Sequence, residues 1–299
     1  MKRKLVKQGS NTLTISLPAK WVETFDLKQG DEVNLEEDKK TLVISTCHEF
    51  KASKSEINIS GLRKTLAYVY LNNCYTRGDD EVKVIYDSPK LCNVISEATS
   101  SMIGYAIVEQ GKSYCILKDL SGTSSAEFDI LFRRILRLIE AMGESGLEAM
   151  KKKDIKSLNA LSSMDLNVNK FTNYCLRSLN KKGYRDFQKT MHYSTILVLI
   201  EQLGDEYARL YKALDAPIRK DTLKLFEDVV KLNRIFSRIF HKYSKEDATE
   251  IFNKRDWLRE ITMQKMRKQC LNDALVLYRI RKMVELMGDI LKIEIGLHI

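Results

Sequence analysis

The sequence predicts a multidomain protein with a small β-rich domain at the N-terminus, an α/β connecting segment and a long all-α region. Apolar and polar residues alternate before residue 46, whereas helical apolar periodicity prevails after residue 124. Of the three prolines, only Pro217 lies in that helical region. We therefore expect domains at 1–46, 55–120 and 124–299, the last divided into bundles of three helices at about 124–215 and 219–297.

Composition narrows the class of protein. The longest purely apolar run, Ile196 to Ile200, is too short to cross a bilayer, and no hydrophobic signal core follows the basic start of the chain. Six cysteines and four histidines are scattered without a C-x-x-C pair, which argues against a disulfide framework or a zinc module. We expect a cytoplasmic protein without membrane insertion.

Residues 1–46 predict short strands around one short helix. Leu13, Ile15 and Leu17 alternate with polar residues as in a half-buried strand, and two later stretches repeat this pattern. Pro18 suits the first turn of a helix that carries Trp21. Because so small a module buries little apolar surface, we expect it to pair with a second copy.

The net charge of +10 is concentrated in part on this domain's first half. Residues 1–25 hold five basic side chains against the single acid Glu23. One edge of the domain is therefore predicted to be cationic, as binding to a phosphate backbone requires. The excess of basic over acidic side chains in the helical region is spread more evenly, and solvated helix faces explain it.

Three short motifs in this region resemble the SpoVT/AbrB/MazE swapped-hairpin domain. They are Val6-Lys-Gln-Gly9-Ser10, Ile15-Ser-Leu-Pro18-Ala-Lys20-Trp21 and Leu27-Lys-Gln-Gly30-Asp31-Glu-Val33. The resemblance implies an intertwined homodimer that binds DNA. By position it implicates Arg3, Lys4, Lys7, Ser10, Asn11 and Lys20 in DNA contact. The alternative is that these are solvated charges that keep strand edges from aggregating.

Residues 55–120 predict a small α/β unit. Ser60 is the expected cap of a helix whose apolar positions include Leu66, Val69 and Tyr70 and which stops at Gly78, and Pro89 opens a second helix. Strands are expected around these helices. The segment has no glycine-rich phosphate loop and no nucleophile–base pair, so we expect a connecting or ligand-sensing role without chemistry.

The region after residue 124 predicts six helices in two sets of three. The first set is a helix of about 28 residues ending near Lys153, then 155–180 and 184–214, and the second is 219–243, 246–268 and 270–297. A pattern of Glu, two residues, Gly and a second acid occurs three times, at Glu140–Glu144, Glu201–Asp205 and Glu285–Asp289. The two acids of each motif share one helix face beside a residue without a side chain.

The duplicated three-helix order with these motifs resembles PhoU, and the order of all segments resembles the archaeal PhoU-like phosphate uptake regulators. The stretches 102–109 and 116–120 are similar to the join in those proteins. The resemblance implies a DNA-binding transcriptional regulator of phosphate homeostasis. The alternative is a signalling adaptor that binds a phosphate transporter or a regulatory kinase, with the N-terminal domain used only to dimerise.

No cofactor follows from the residues themselves, but the PhoU resemblance implies acidic side chains on neighbouring helices that hold a divalent ion such as Mg, Mn, Fe or Zn. The candidates are Asp165, Glu201 and Asp205 in the first bundle and Asp256, Glu260, Glu285 and Asp289 in the second. Asn167 and Asn169 replace expected acids in the first bundle, so the second is expected to bind more tightly.

Two further readings of these acids are weighed. In the first, Gly204 and Gly288 simply let helices approach closely, and the acids pair with Arg209 or Arg281. In the second, the acids belong to a metal-dependent hydrolase, but no histidine or nucleophile stands at a useful spacing. We therefore expect that the protein is not an enzyme.

Overall fold

The computed structural model describes residues 1–38, 41–46, 53–121, 125–266 and 270–298. The chain divides into two units, Met1–Ala52 and Ser53–Ile299. The first unit contains short antiparallel strand pairs, and the second is mostly helical. None of the helices in the described ranges has both the length and the apolar composition needed to cross a membrane.

The N-terminal unit consists of two antiparallel strand pairs separated by one short helix. Its elements are β1 (Val6–Gln8), β2 (Thr12–Thr14), α1 (Ala19–Thr24), β3 (Val33–Asp38) and β4 (Thr41–Thr46). Between α1 and β3 the chain makes a turn, in which the Asp31 N–H donates to the Lys28 carbonyl at 3.1 Å. The expected strand through Leu17 is wrong, because β2 ends at Thr14 and the chain then leads into Pro18, which caps α1.

This unit lacks an internal core within the described residues. Only Thr46 is buried among its described side chains, while Val6 and Leu13 on the first hairpin are each 61% exposed and Leu35 is 59% exposed. An isolated two-stranded sheet is marginally stable in water. The unit therefore needs another surface to cover its apolar side chains.

The second unit begins with a four-stranded sheet in the order β5-β6-β8-β7. Strands β5 and β6 are parallel, and the other neighbouring pairs are antiparallel. Helices α2 and α3 contact each other and cover a core that includes Val82, Val84 and Leu117. The elements are β5 (Lys54–Asn58), α2 (Lys64–Arg77), β6 (Glu81–Ile85), α3 (Pro89–Ser100), β7 (Tyr105–Gln110) and β8 (Tyr114–Asp119).

Two expectations for this sheet and its helices are wrong. Arg63, not Ser60, precedes α2 as its N-cap, although the helix does end at Gly78 as predicted. The predicted apolar positions Leu66, Val69 and Tyr70 are exposed, whereas the adjacent face of α2, with its Ala67 and Tyr75, is buried. Both faces of α2 are apolar, so periodicity alone could not select between them.

Seven α-helices follow in the described part of the chain after residue 124. They are α4 (Ser125–Lys152), α5 (Ile155–Leu161), α6 (Asp165–Lys182), α7 (Thr190–Ala213), α8 (Lys220–His241), α9 (Lys245–Met266) and α10 (Leu271–Gly296). The predicted single helix over 155–180 is two helices joined by a 3-10 turn, Ser162–Met164. The helices share one buried core, because α4 packs on both α6 and α8, and α10 packs on α7, α8 and α9.

Arg177 on α6 joins the sheet to the helices. Its side chain is fully buried and donates to the carbonyls of Tyr75 and Asp79 at 2.9 and 2.7 Å and to Asp119 Oδ2 at 2.7 Å. The guanidinium carbon lies 5.1 Å from the centroids of the Tyr75 and Tyr105 rings. Burial alone would raise the pKa of Asp119, but the hydrogen bond and charge of Arg177 lower it.

Candidate nucleic-acid interface and acidic motifs

The first hairpin of the N-terminal unit turns at Gly9. This glycine has a φ of 72°, a left-handed conformation that favours a residue without a side chain. Lys7 pairs with Leu13 across the two strands, and the Thr14 hydroxyl donates to the Val6 carbonyl at 3.1 Å. Ser10, beside Gly9 in the turn, therefore lies at one end of a two-stranded ribbon.

The structure places all six predicted DNA-contacting residues in exposed positions. Arg3 and Lys4 precede β1, Lys7 lies in β1, Ser10 and Asn11 form the turn, and Lys20 lies in α1. The hairpin thus brings Lys7, Ser10 and Asn11 together, while Lys20 belongs to the following helix. Among the described residues none of the four cations pairs with a carboxylate, so their charge is available to an anionic ligand.

Comparison with known proteins finds a similarity, and it lies in this unit. Residues 6–49 match the family model described as antidote-toxin recognition MazE, bacterial antitoxin. The matched stretch begins at β1 and extends past the end of β4 at Thr46. Searches of curated proteins and of solved structures gave no significant match to the chain.

The acidic motif of α7 lies against α6. A Cβ added at Gly204 would lie 3.0 Å from Asp165 Oδ1, 3.1 Å from Val168 Cγ1 and 3.3 Å from Ile139 Cδ1. Asp165 Oδ1 is buried and has no hydrogen-bond partner among the described residues, while its other oxygen accepts from Asn169 at 3.2 Å. The glycine therefore makes room for a buried carboxylate.

Three acids meet at this point. Burial first, and then the charges of Asp205 and Glu201, raise the pKa of Asp165 to about 7. Burial and the charge of Asp205 also raise the pKa of Glu201. Arg209 pairs with Asp205, which leaves the Asp165 carboxyl uncompensated. The structure thus brings together the three predicted residues of the first bundle.

The corresponding motif of α10 meets a cation. A Cβ at Gly288 would lie 2.7 Å from Arg255 Cδ and 2.9 Å from an Arg255 terminal nitrogen. Asp256, the metal-ligand candidate next to Arg255 in sequence, is 59% exposed and pairs with Arg255 at 2.7 Å. The two motifs therefore differ, because Arg255 and not an acid occupies the position over the second glycine.

Basic side chains hold two of the other acids of the second set, Glu285 and Asp289, and an amide contacts the third. Glu285 pairs with Arg281 at 3.1 Å and with Arg259 at 3.4 Å, and Asp289 pairs with Lys292 at 2.7 Å. Glu260 accepts a hydrogen bond from Gln264 at 3.2 Å. These contacts agree with the alternative interpretation, in which the acids pair with Arg209 or Arg281 beside closely packed glycines.

The motifs of α7 and α10 face one groove of about 480 Å³. Glu201 and Asp205 line one side and Glu285 and Asp289 the other, with Arg209 and Lys282 between the acids. The sequence predicted separate sites for the acids of the first and second bundles, whereas the structure places the acids of α7 and α10 in one groove. Within the described ranges, no group of three or more His, Cys, Asp or Glu side chains is arranged to hold a metal ion. The residues present therefore do not fit a preformed metal site.

Sequence reasoning missed two functionally informative arginines. Arg177 gave no signal, because a single arginine in an amphipathic helix is ordinary. Arg255 was passed over in favour of Asp256, one position further on. The contact of Arg255 with Gly288 depends on which residue of α9 faces α10, which the sequence does not show, and Arg177 carries no sequence signal at all.

Proposed function

We propose that the protein is a DNA-binding transcriptional regulator without enzymatic activity, and that its N-terminal unit contacts DNA. The match of residues 6–49 to an antitoxin family is the observation that supports this most directly. The exposed cations of the first hairpin, which have no carboxylate partner in the described residues, add an electrostatic reason. Lysine and arginine would bind phosphates, while Ser10 and Asn11 would reach base edges.

We further propose that the regulator acts as a homodimer. The N-terminal unit leaves Val6, Leu13 and Leu35 largely exposed, and a second copy of the same unit offers a matching apolar surface. The two separate strand pairs could then join into a larger sheet across the dimer. This pairing is the swapped hairpin that the sequence resemblance implies.

The helical unit is proposed to sense a signal or to hold a partner. A role in phosphate homeostasis, a phosphate transporter or regulatory protein as partner, and PhoU-like bundles rest on the sequence resemblance alone. The single core shared by α4 to α10 supports a helical unit that responds as one body.

Replacement of Arg3, Lys4 and Lys7 by alanine in the full chain tests DNA contact. Each lost phosphate contact should lower the salt slope of log K by about 0.9, with the melting temperature unchanged because the residues are exposed. The matched control is Lys54→Ala with Lys64→Ala and Lys83→Ala, which removes the same charge from ion-paired positions of the second unit. Fluorescence anisotropy with a DNA duplex at several salt concentrations measures the salt slope of each variant.

An unchanged slope in the first variant would contradict DNA contact by these residues. The N-terminal unit would then serve dimerisation only, and the adaptor alternative would replace the proposed function. An equal drop in both variants would show that net charge, rather than the hairpin, sets the affinity.

A further inference from the structure

Three arginines on one side of α4 differ from every other described arginine between residues 125 and 298. Arg133, Arg134 and Arg137 form no ion pair with a described carboxylate, whereas each of the others does. All three line one groove of about 390 Å³ together with Ile130 and Leu138. Among the described arginines of the helical region, those without an ion pair are thus gathered at one place.

The acids of α4 that flank this groove form no ion pair with its arginines among the described residues. Asp129 pairs with Arg185, Glu140 has no described ion pair, and Glu144 pairs with Arg234 at 2.7 Å. Arg133 and Arg137 are one helical turn apart, a spacing at which like charges destabilise a helix. An anionic partner would relieve this repulsion.

The groove also has an apolar component. Ile130 is 66% exposed, and Leu138, eight positions further along the same helix, is half-buried against the core and lines the groove. The guanidinium carbon of Arg134 lies 5.5 Å from the centroid of the Phe171 ring on α6, which orients that side chain. Arginine beside accessible apolar side chains is the composition that protein interfaces favour.

The shape of the groove selects the kind of partner. Its lining residues all come from α4, so it is an open helix side and cannot enclose most of the surface of a small anion, as small-ligand sites do. A phosphate backbone has no apolar group to cover Ile130 or Leu138. A protein segment can supply both carboxylates and apolar side chains.

We infer that this side of α4 is a docking surface for an acidic segment of a partner protein, whose carboxylates pair with Arg133, Arg134 and Arg137 and whose apolar side chains cover Ile130 and Leu138. The inference deepens the partner-binding role proposed for the helical unit and rests on it. It does not depend on DNA contact by the N-terminal unit, so either can fail without the other.

The probe is a labelled synthetic helical peptide of glutamates with two leucines eight residues apart, which matches the spacing of Ile130 and Leu138. Arg133→Ala with Arg134→Ala and Arg137→Ala in the full chain should weaken peptide binding by about tenfold or more. The control is Arg234→Ala with Arg238→Ala and Arg259→Ala, an equal charge change at ion-paired arginines, and it should weaken binding by less than about twofold.

Two further comparisons complete the experiment. Replacement of the peptide's leucines by serine should weaken binding to the unaltered protein several-fold. The variant with lysine at all three positions keeps the charge but loses the planar fork, so it should bind between the two extremes, and it remains informative if the alanine variant fails to fold.

Equal losses in the alanine variant and its control would overturn the inference, because net charge would then explain the binding. Indifference to the leucines would overturn it as well. Loss of binding to a DNA duplex by the alanine variant, with peptide binding intact, would assign the surface to nucleic acid instead.

Discussion

Gly204 on α7 and Gly288 on α10 occupy the same place in the same motif, yet they meet opposite charges. The carboxylate of Asp165 lies over Gly204, and the guanidinium of Arg255 lies over Gly288. Both glycines allow a side chain from the preceding helix to approach the backbone closely. The repeated motif therefore preserves the space beside the helix and not the chemistry of the group that fills it.

The two arrangements also differ in how charge is balanced. Around Gly288, Arg255, Arg259 and Arg281 surround the acids of α9 and α10. Around Gly204, Asp165 is buried and Glu201 is half-buried beside Asp205, and Arg209 forms an ion pair with Asp205. Because the pKa of Asp165 is raised to about 7, the arrangement around Gly204 is the more sensitive of the two to pH near neutrality.

The largest expected effect comes from removing the charge of Asp165. Because its pKa of about 7 in the folded protein lies above the usual 3.8, this carboxyl stabilises the fold at low pH, and that contribution is lost as pH rises through 7. At pH 8 the Asp165→Asn variant should have a higher free energy of unfolding than the unaltered protein, by on the order of 2 kcal/mol. The advantage should disappear near pH 4.

Urea denaturation at both pH values measures this difference. Asp289→Asn is the control from the second motif, where the carboxylate is 54% exposed beside Lys292, and it should change stability by less than about 0.5 kcal/mol. A pH-independent effect of Asp165→Asn would show that its charge is compensated.

A smaller effect is expected from filling the two glycine positions. Gly204→Ala should destabilise the protein by about 1–2 kcal/mol, because the new methyl group meets the buried side chains of Val168 and Ile139. Gly288→Ala should destabilise the protein less, since the three nearest atoms all belong to the single side chain of Arg255 and alanine favours helix by about 1 kcal/mol. Chemical denaturation of both variants tests the pair, and equal destabilisation would mean that Arg255 cannot move aside.

The smallest effect is expected from metal ions. Addition of Mg²⁺, Mn²⁺, Fe²⁺ or Zn²⁺ should leave the melting temperature unchanged, because arginine and lysine already hold the acids of α10. A shift abolished by Glu201→Ala with Asp205→Ala would assign a metal to the first motif. A shift abolished by Glu285→Ala with Asp289→Ala would instead restore the order expected from sequence.

The sequence predicted the bounds of the long helices well and the contacts between their side chains poorly. Apolar periodicity placed the ends of α4 and α8 within two residues, because a long amphipathic helix repeats its signal many times. The single helix expected over 155–180 contains a short 3-10 turn that leaves this periodicity almost unchanged. The contact of Arg255 with Gly288 depends on which residue of α9 faces α10, and one residue of rotation decides that.

Arg177 makes the α/β segment inseparable from the bundle. A chain boundary near residue 120 suggests a module that could be exchanged between proteins, but the segment's backbone carbonyls and Asp119 hold a guanidinium supplied by α6. A graft without α6 would remove both Arg177 and Lys181, whose Nζ lies 3.9 Å from Asp119 Oδ2, and would leave this buried carboxylate without a cation, at a cost of about 3–5 kcal/mol. Any recombination that moves this segment must therefore bring position 177 with it.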